Sequence, residues 1–196
     1  MRKIILASAS PRRAELLKQI GLKFTVDASN HDEAFKDGLE PARLAMLLSM
    51  KKARAVAKRH PDAVIIAADT IGVLNGKIIG KPKSAADARR ILRSLSGRTH
   101  KVITGFTVYD TGAGRIATKA VETRVRFRKL TASEINAYVA TGEPLDKAGA
   151  YGIQERGAAL VKHIEGDYFN VIGLPLSALV ETLQEFGIKI CWMVTS

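Results

Sequence analysis

Residues 64–68 read Val-Ile-Ile-Ala-Ala, an unbroken apolar run led by three β-branched side chains. The run is short for a helix, and nothing in it alternates with polar residues. It therefore reads as an interior strand covered on both faces, and such a strand needs layers of helix around it. Pro41 opens a long helix to about Arg59, stopped by His60-Pro61. Ser84 caps another helix to about Leu95, with Asp87 in the capping-box position. Residues 3–7 (KIILA) read as a second buried strand, and 24–28 as a third. Between them, Ser10 as N-cap and Pro11 at the first helical position start a helix to about Ile20, with Gly21 as its stop.

The strands cannot all be parallel. Asn75-Gly76 between 71–74 and 77–79 is a strong hairpin signal. Residues 101–109 and 117–130 read as two long strands around a turn at 111–114. In the second, Val121, Thr123, Val125 and Phe127 alternate with Glu122, Arg124, Arg126 and Arg128, as in a half-exposed antiparallel strand. Thr131 and Glu134 form a capping box for a helix ending near Gly142. A strand at 158–164 and a helix from about Pro175 to Phe186 complete the pattern. The predicted fold class is α/β, a mixed twisted sheet flanked by helices. No Pro/Gly-rich linker divides the 196 residues, so 1–196 is read as one domain, with the alternative of two lobes around a central cleft.

Lys and Arg number 31 against 19 Asp and Glu, a formal charge of +12. That balance points to an anionic partner: nucleotide, nucleic acid or acidic membrane surface. The single cysteine, Cys191, excludes a disulfide scaffold and a cysteine zinc site. The longest apolar run, 63–68, falls far short of the roughly 20 residues of a membrane helix. Pro11-Arg12-Arg13 interrupts the first apolar stretch too early for a secretory signal. A soluble cytoplasmic protein with no membrane partner is expected.

Four segments carry candidate chemistry. Ser8, Ser10, Arg12 and Arg13 surround a strand-to-helix turn, where free N–H groups and the helix dipole suit phosphate. The same residues also read as an ordinary capped helix with solvated arginines. Asp69-Thr70 follows the interior strand, and a carboxylate there can hold a divalent cation, take a proton from water or cap a turn. Asp32-Glu33 offers a second carboxylate or a solvated acidic loop. Gly80-Lys81-Pro82 places a cation on a fixed loop. In 146–154 (DKAGAYGIQ), Tyr151 can stack on a flat ligand. Gln154 can pair with the N3–H/O4 edge of uracil or thymine, or the whole segment can be a tight turn packed into the core. Lys51, Lys52, Arg54, Lys58 and Arg59 mostly read as a solvated helix face, and His100 as structural.

Taken together, LASASPRR, Asp32-Glu33, KKA at 51–53, AADT at 67–70, GKP at 80–82, SGRTHKVITG at 96–105, DKAGAYGIQ at 146–154 and EGDYFNVIGLP at 165–175 resemble the Maf family of nucleotide pyrophosphatases. The resemblance runs from Ile5 to about Gly187. It implies hydrolysis of a nucleoside triphosphate to monophosphate and pyrophosphate with a divalent metal (Mg²⁺, Mn²⁺ or Co²⁺). It also implies an elongated fold akin to inosine triphosphatases, and a homodimer. The family's catalytic base falls on Asp69, which with Glu33 is also a candidate metal ligand. Its phosphate and base contacts match Ser8, Arg12, Arg13, Lys52, Lys81 and Gln154. Arg12, Thr70 and Gln154 look like the subgroup acting on dTTP and UTP. The tail 188–196 extends past the point where many members end, and is expected to pack at a dimer surface or to be disordered.

Two rivals remain at this level. One is a nucleic-acid-binding or septum regulator, suggested by the charge and by the family's link to septum formation. No recognition helix or aromatic stacking pattern supports it, so no specific nucleic acid is expected. The other is an inosine or xanthosine triphosphate hydrolase, against which the DKAGAYGIQ segment argues.

Overall fold

The computed structural model describes residues 2–28 and 38–190. Its strands are β1 (Ile4–Leu6), β2 (Thr25–Val26), β3 (Val64–Leu74), β4 (Lys77–Ile79), β5 (Thr99–Asp110), β6 (Arg115–Phe127) and β7 (Val161–Glu165). Its helices are α1 (Pro11–Gln19), α2 (Pro41–Ala57), α3 (Ala85–Leu95), α4 (Ala132–Ala140), α5 (Tyr168–Ile172) and α6 (Leu176–Glu185). The strand order is β2-β1-β3-β5-β6-β7, with β4 paired to β3. β1 runs parallel to β2 and β3, whereas β4 is antiparallel to β3 and β7 to β6. The sheet is mixed, as the hairpin signals require. Among the described residues, no helix is long and apolar enough to cross a membrane.

The chain forms two compact units. The first comprises residues 1–69, 104–121 and 173–196, and the second 70–103 and 122–172. In the first, Ile5 and Ala7 of the β1 segment and Ala63, Ile65 and Ala67 of the β3 segment form one core cluster with Ala53 and Val56 of α2. The alternate residues Leu6, Val64 and Ile66 are also fully buried, so β3 is covered on both faces. α2 crosses the sheet closely at Gly105 of β5: a Cβ there would lie 2.2 Å from the Ala45 carbonyl carbon and 2.4 Å from Met46 N. Both obstacles are backbone, so Gly105→Ala should cost about 3 kcal/mol or more. In a domain of this size that lowers Tm by roughly 6–12 °C. A fall under about 2 °C in a thermal melt would show that the two backbones part freely.

In the second unit, Asn75 and Gly76 adopt φ of 49° and 76° and close the β3–β4 hairpin. α3 buries Ala88, Ile91, Leu92 and Leu95, and α4 buries Ile135, Tyr138 and Val139. The Thr131/Glu134 capping box forms as expected.

Several local expectations need correction. β3 does not end at Asp69-Thr70 but runs on to Leu74, because its second half has β4 to pair with. The Ser10 side chain makes no cap bond, and instead the Ser10 N–H donates to Ser8 Oγ at 3.3 Å. α2 is capped by Glu40, whose carboxylate accepts from the N–H groups of Ala42 and Arg43. β7 starts only at Val161, since residues 158–160 belong to a 3₁₀ turn at Arg156–Leu160. α5 adds a short helix between the expected strand and the last helix, capped by Asp167, whose carboxylate accepts from the N–H groups of Phe169 and Asn170 at 2.7 and 3.1 Å. Of the tail, Ile190 is buried, and residues 191–196 lie outside the described residues.

Candidate active site

Strand and helix periods together place the central pair. Side chains alternate along β3, so Asp69 continues the face of Ala63, Ile65 and Ala67, which lies against α2. On α2, Leu44, Leu48 and Val56 are buried at four-residue steps, and Lys52 occupies the missing step. The Lys52 ammonium accordingly meets Asp69 Oδ1 in an ion pair whose side chains are only 12% and 7% exposed. Lys52 is thus the exception among α2 cations that mostly read as a solvated face. Lys51 and Lys58 are exposed, and Arg59 pairs with Asp27 instead. The spacing 44-48-52-56 was the available signal.

β1 and β3 run parallel, and Ala7 N–H donates to Ile66 O at 2.8 Å. Ser8 thus emerges at the carboxyl end of β1, the end at which α/β sheets bind ligands. Ser8 is buried, and its Oγ accepts from Arg13 Nη1 at 3.1 Å. Arg13 Nε donates to Gly173 O at 2.8 Å. These bonds hold the Arg13 guanidinium at the first turn of α1, whose N-terminal end favours negative charge. Arg12, beside it, is half-buried.

Mg²⁺ typically takes one or two carboxylates and completes its shell with water and substrate phosphate. Asp69 supplies one carboxylate, and the described residues contain no group of three or more His, Cys, Asp or Glu that could cage an ion. This donor set fits a cation that arrives with a triphosphate. Glu33, the second expected ligand, lies outside the described residues, as does Asp32.

Thr70, Lys81 and Gln154 belong to the second unit. Thr70 follows Asp69 in β3 and points to the opposite face. Lys81 is exposed, and the loop that carries it is joined to the 146–154 segment by a hydrogen bond from Gly149 N to Gly80 O at 3.2 Å. Gln154 is exposed, directly after the buried run 151–153.

Tyr151 does not serve as an open stacking platform. It is buried, edge-on to Phe127 at 4.8 Å and to His100 at 5.4 Å, and its hydroxyl is 2.9 Å from His100 Nε2. His100 is structural, as expected. Burial pushes its imidazole from 6.5 down to about 4, and Nδ1 has no hydrogen-bond partner among the described residues. With the folded value depressed, the unfolded chain binds the extra proton, so stability present above pH 6.5 is lost as pH falls toward 4. Between pH 7 and pH 5 this loss should reach about 2 kcal/mol, or roughly 4–8 °C in Tm. Asp27 and Glu134, held at about 2, lose their contributions mostly below that window. His100→Gln should flatten the Tm profile between pH 7 and pH 5, and an unchanged slope would mean that His100 does not set it.

Residues 3–186 match the family model described as "Maf-like protein". A dTTP/UTP pyrophosphatase of Moorella thermoacetica is 54% identical over 97% of this chain and 98% of its own length. Enzymes of the same name from Methanosarcina barkeri and Alkaliphilus metalliredigens are 50% and 52% identical, covering 97% and 94% of this chain and 97% and 96% of their own lengths. Among solved structures, a HAM1 protein from Coxiella burnetii and the Ham1 protein of Staphylococcus aureus each match with TM-score 0.51 at 18% identity. They cover 94% and 95% of this chain and 100% of their own, which bears out the expected fold.

Proposed function

The chain belongs to the Maf family, and from that membership we propose that it hydrolyses dTTP and UTP at the α–β phosphoanhydride, releasing the nucleoside monophosphate and pyrophosphate. The observation that carries this reading is 50–54% identity, over nearly the whole chain, to three relatives named dTTP/UTP pyrophosphatase. The buried Asp69–Lys52 pair supports it. Such a pair gains little over apolar residues of equal volume, so stability alone does not account for it.

In the proposed mechanism a triphosphate competes with Asp69 for the Lys52 ammonium. Asp69 then takes a proton from the water whose oxygen attacks the α-phosphorus. The bond from the α-phosphorus to the bridging oxygen breaks, and pyrophosphate leaves with that oxygen. Ser8, Arg12, Arg13, Lys52 and Lys81 bind the phosphates and offset the charge that develops on the leaving group. Gln154 meets the base edge, with Thr70 beside the catalytic carboxylate. A divalent cation held by Asp69, with Glu33 as the second candidate ligand, would neutralise phosphate charge. The enzyme is read as cytoplasmic and as a homodimer, which light scattering after size exclusion measures.

The test is pyrophosphate release. With Mg²⁺, UTP and dTTP should each yield one pyrophosphate per monophosphate, and excess chelator should lower the rate by at least about 10²-fold. Release of orthophosphate instead would refute cleavage at the α–β bond, and turnover that survives chelation would remove the metal from the reading.

A further inference from the structure

The loop 152–157 carries Gln154 at its centre, and two side chains from outside the loop hold both its ends. At one end, Gly152 N–H donates to Tyr138 Oη at 3.2 Å. At the other, Gly157 N–H donates to Glu143 Oε1 at 3.0 Å and Arg156 N–H to Glu143 Oε2 at 3.2 Å. The two holders are joined, since Tyr138 Oη donates to Glu143 Oε1 at 2.8 Å. Burial, followed by that hydrogen bond, pushes the Tyr138 phenol up, which keeps it a donor. Glu143 is fixed in turn by Lys147, whose buried ammonium donates to the Glu143 carbonyl at 2.9 Å. The fit leaves no room for slack: a Cβ on Gly157 would lie 2.6 Å from both Tyr138 Oη and Gly152 O.

We propose that Tyr138 and Glu143 are positioning residues for base choice, a bracket that fixes the loop 152–157 and so presents the Gln154 amide in one orientation. The proposal rests on the reading of Gln154 as the side chain that meets the base edge. Uracil and cytosine offer opposite donor and acceptor patterns, and an amide can satisfy either by flipping. Selectivity therefore depends on denying the amide a second pose. Three anchored backbone amides do this by fixing where the Gln154 Cβ stands and in which direction it leaves the chain. They also remove loop-ordering entropy that would otherwise be lost on binding.

The experiment measures kcat/KM for UTP and CTP in the wild type, Glu143→Gln and Tyr138→Phe, each with and without Gln154→Ala. Amide hydrogen exchange is followed across 152–157. Glu143→Gln keeps the volume but replaces one of the two acceptor oxygens with a donor, and Tyr138→Phe removes a single hydroxyl. In each variant exchange in the loop should speed up at least about tenfold. The UTP/CTP ratio should fall at least about tenfold through loss of UTP turnover, with CTP turnover within about threefold of wild type. In the Gln154→Ala background the same changes should move the ratio less than about twofold, as a cycle through one shared residue demands. If Glu143→Gln does not fold, Tyr138→Phe decides on the same criteria. A ratio unmoved in a folded variant, an equal loss on both nucleotides, or a loss that persists without Gln154 overturns the proposal. The wild-type arm reports on the underlying reading: equal rates for UTP and CTP would refute the role of Gln154 and this proposal together. Absence of pyrophosphate release would refute the activity itself.

Discussion

Asp69→Asn should lower kcat for UTP by at least about 10²-fold, the range that removal of a general base ordinarily costs. The substitution is nearly isosteric, so the strand geometry of β3 is kept and the loss falls on chemistry. It also leaves Lys52, with a side chain only 12% exposed, facing a neutral amide. Removing one partner of a buried ion pair costs about 3–5 kcal/mol when nothing replaces it. Asn keeps an acceptor oxygen, so the cost here should be nearer 1–3 kcal/mol, a Tm lower by roughly 2–12 °C. Activity should therefore be compared well below the melting range of both proteins. With Lys52→Met added, both members of the pair are neutral, and the double variant should regain part of the Tm without regaining turnover, since neutral replacements of buried pairs are tolerated. A single variant that keeps more than a tenth of the wild-type kcat would remove Asp69 from the chemistry.

UTP and dTTP should exceed CTP, dCTP, ATP and GTP by at least about 10²-fold in kcat/KM. Gln154 is exposed in the free protein, and in the proposed reading a bound base would cover and desolvate it. A mismatched donor or acceptor is then left without water or partner, and that penalty is what discriminates. Accepting both UTP and dTTP requires indifference to the 2′-hydroxyl and room at the 5-position, so 5-substituted uridine triphosphates should also turn over. Gln154→Ala should lower UTP and dTTP toward the rate of CTP while changing CTP little. A substrate panel with equal rates for UTP and CTP in the wild type would contradict the assignment of Gln154 and leave the pyrophosphatase reading standing.

Segments whose conformation is settled within a few residues were legible in the sequence. The Thr131/Glu134 box, the Ser84 cap and the Asn75-Gly76 turn each depend on neighbours no more than four positions away, and all appear in the structure. The run 64–68 showed its strand character in its own apolar, β-branched composition. The Glu40 cap of α2 was equally local, since a carboxylate before a proline-opened helix is itself a start signal beside Pro41. The chemical identities of Ser8, Arg13, Asp69 and Gln154 were also legible, because anion-binding groups, carboxylates and amides announce their chemistry wherever they stand.

Partnerships were decided by tertiary structure alone. Lys52 and Asp69 are 17 residues apart, and their pairing follows only once α2 lies along the 63-65-67 face of β3. His100 and Tyr151 are 51 residues apart, and their contact seats Tyr151 in the core, which decides between the two readings its sequence left open. Glu143 reaches the N–H groups of Arg156 and Gly157 because the chain between them turns back on itself, a path no periodicity encodes. Capping and strand alternation are energies of a few bonded neighbours, so composition and spacing determine them. The partner of a buried charge or hydroxyl is set by which elements exclude water together, and that is a property of the packed fold.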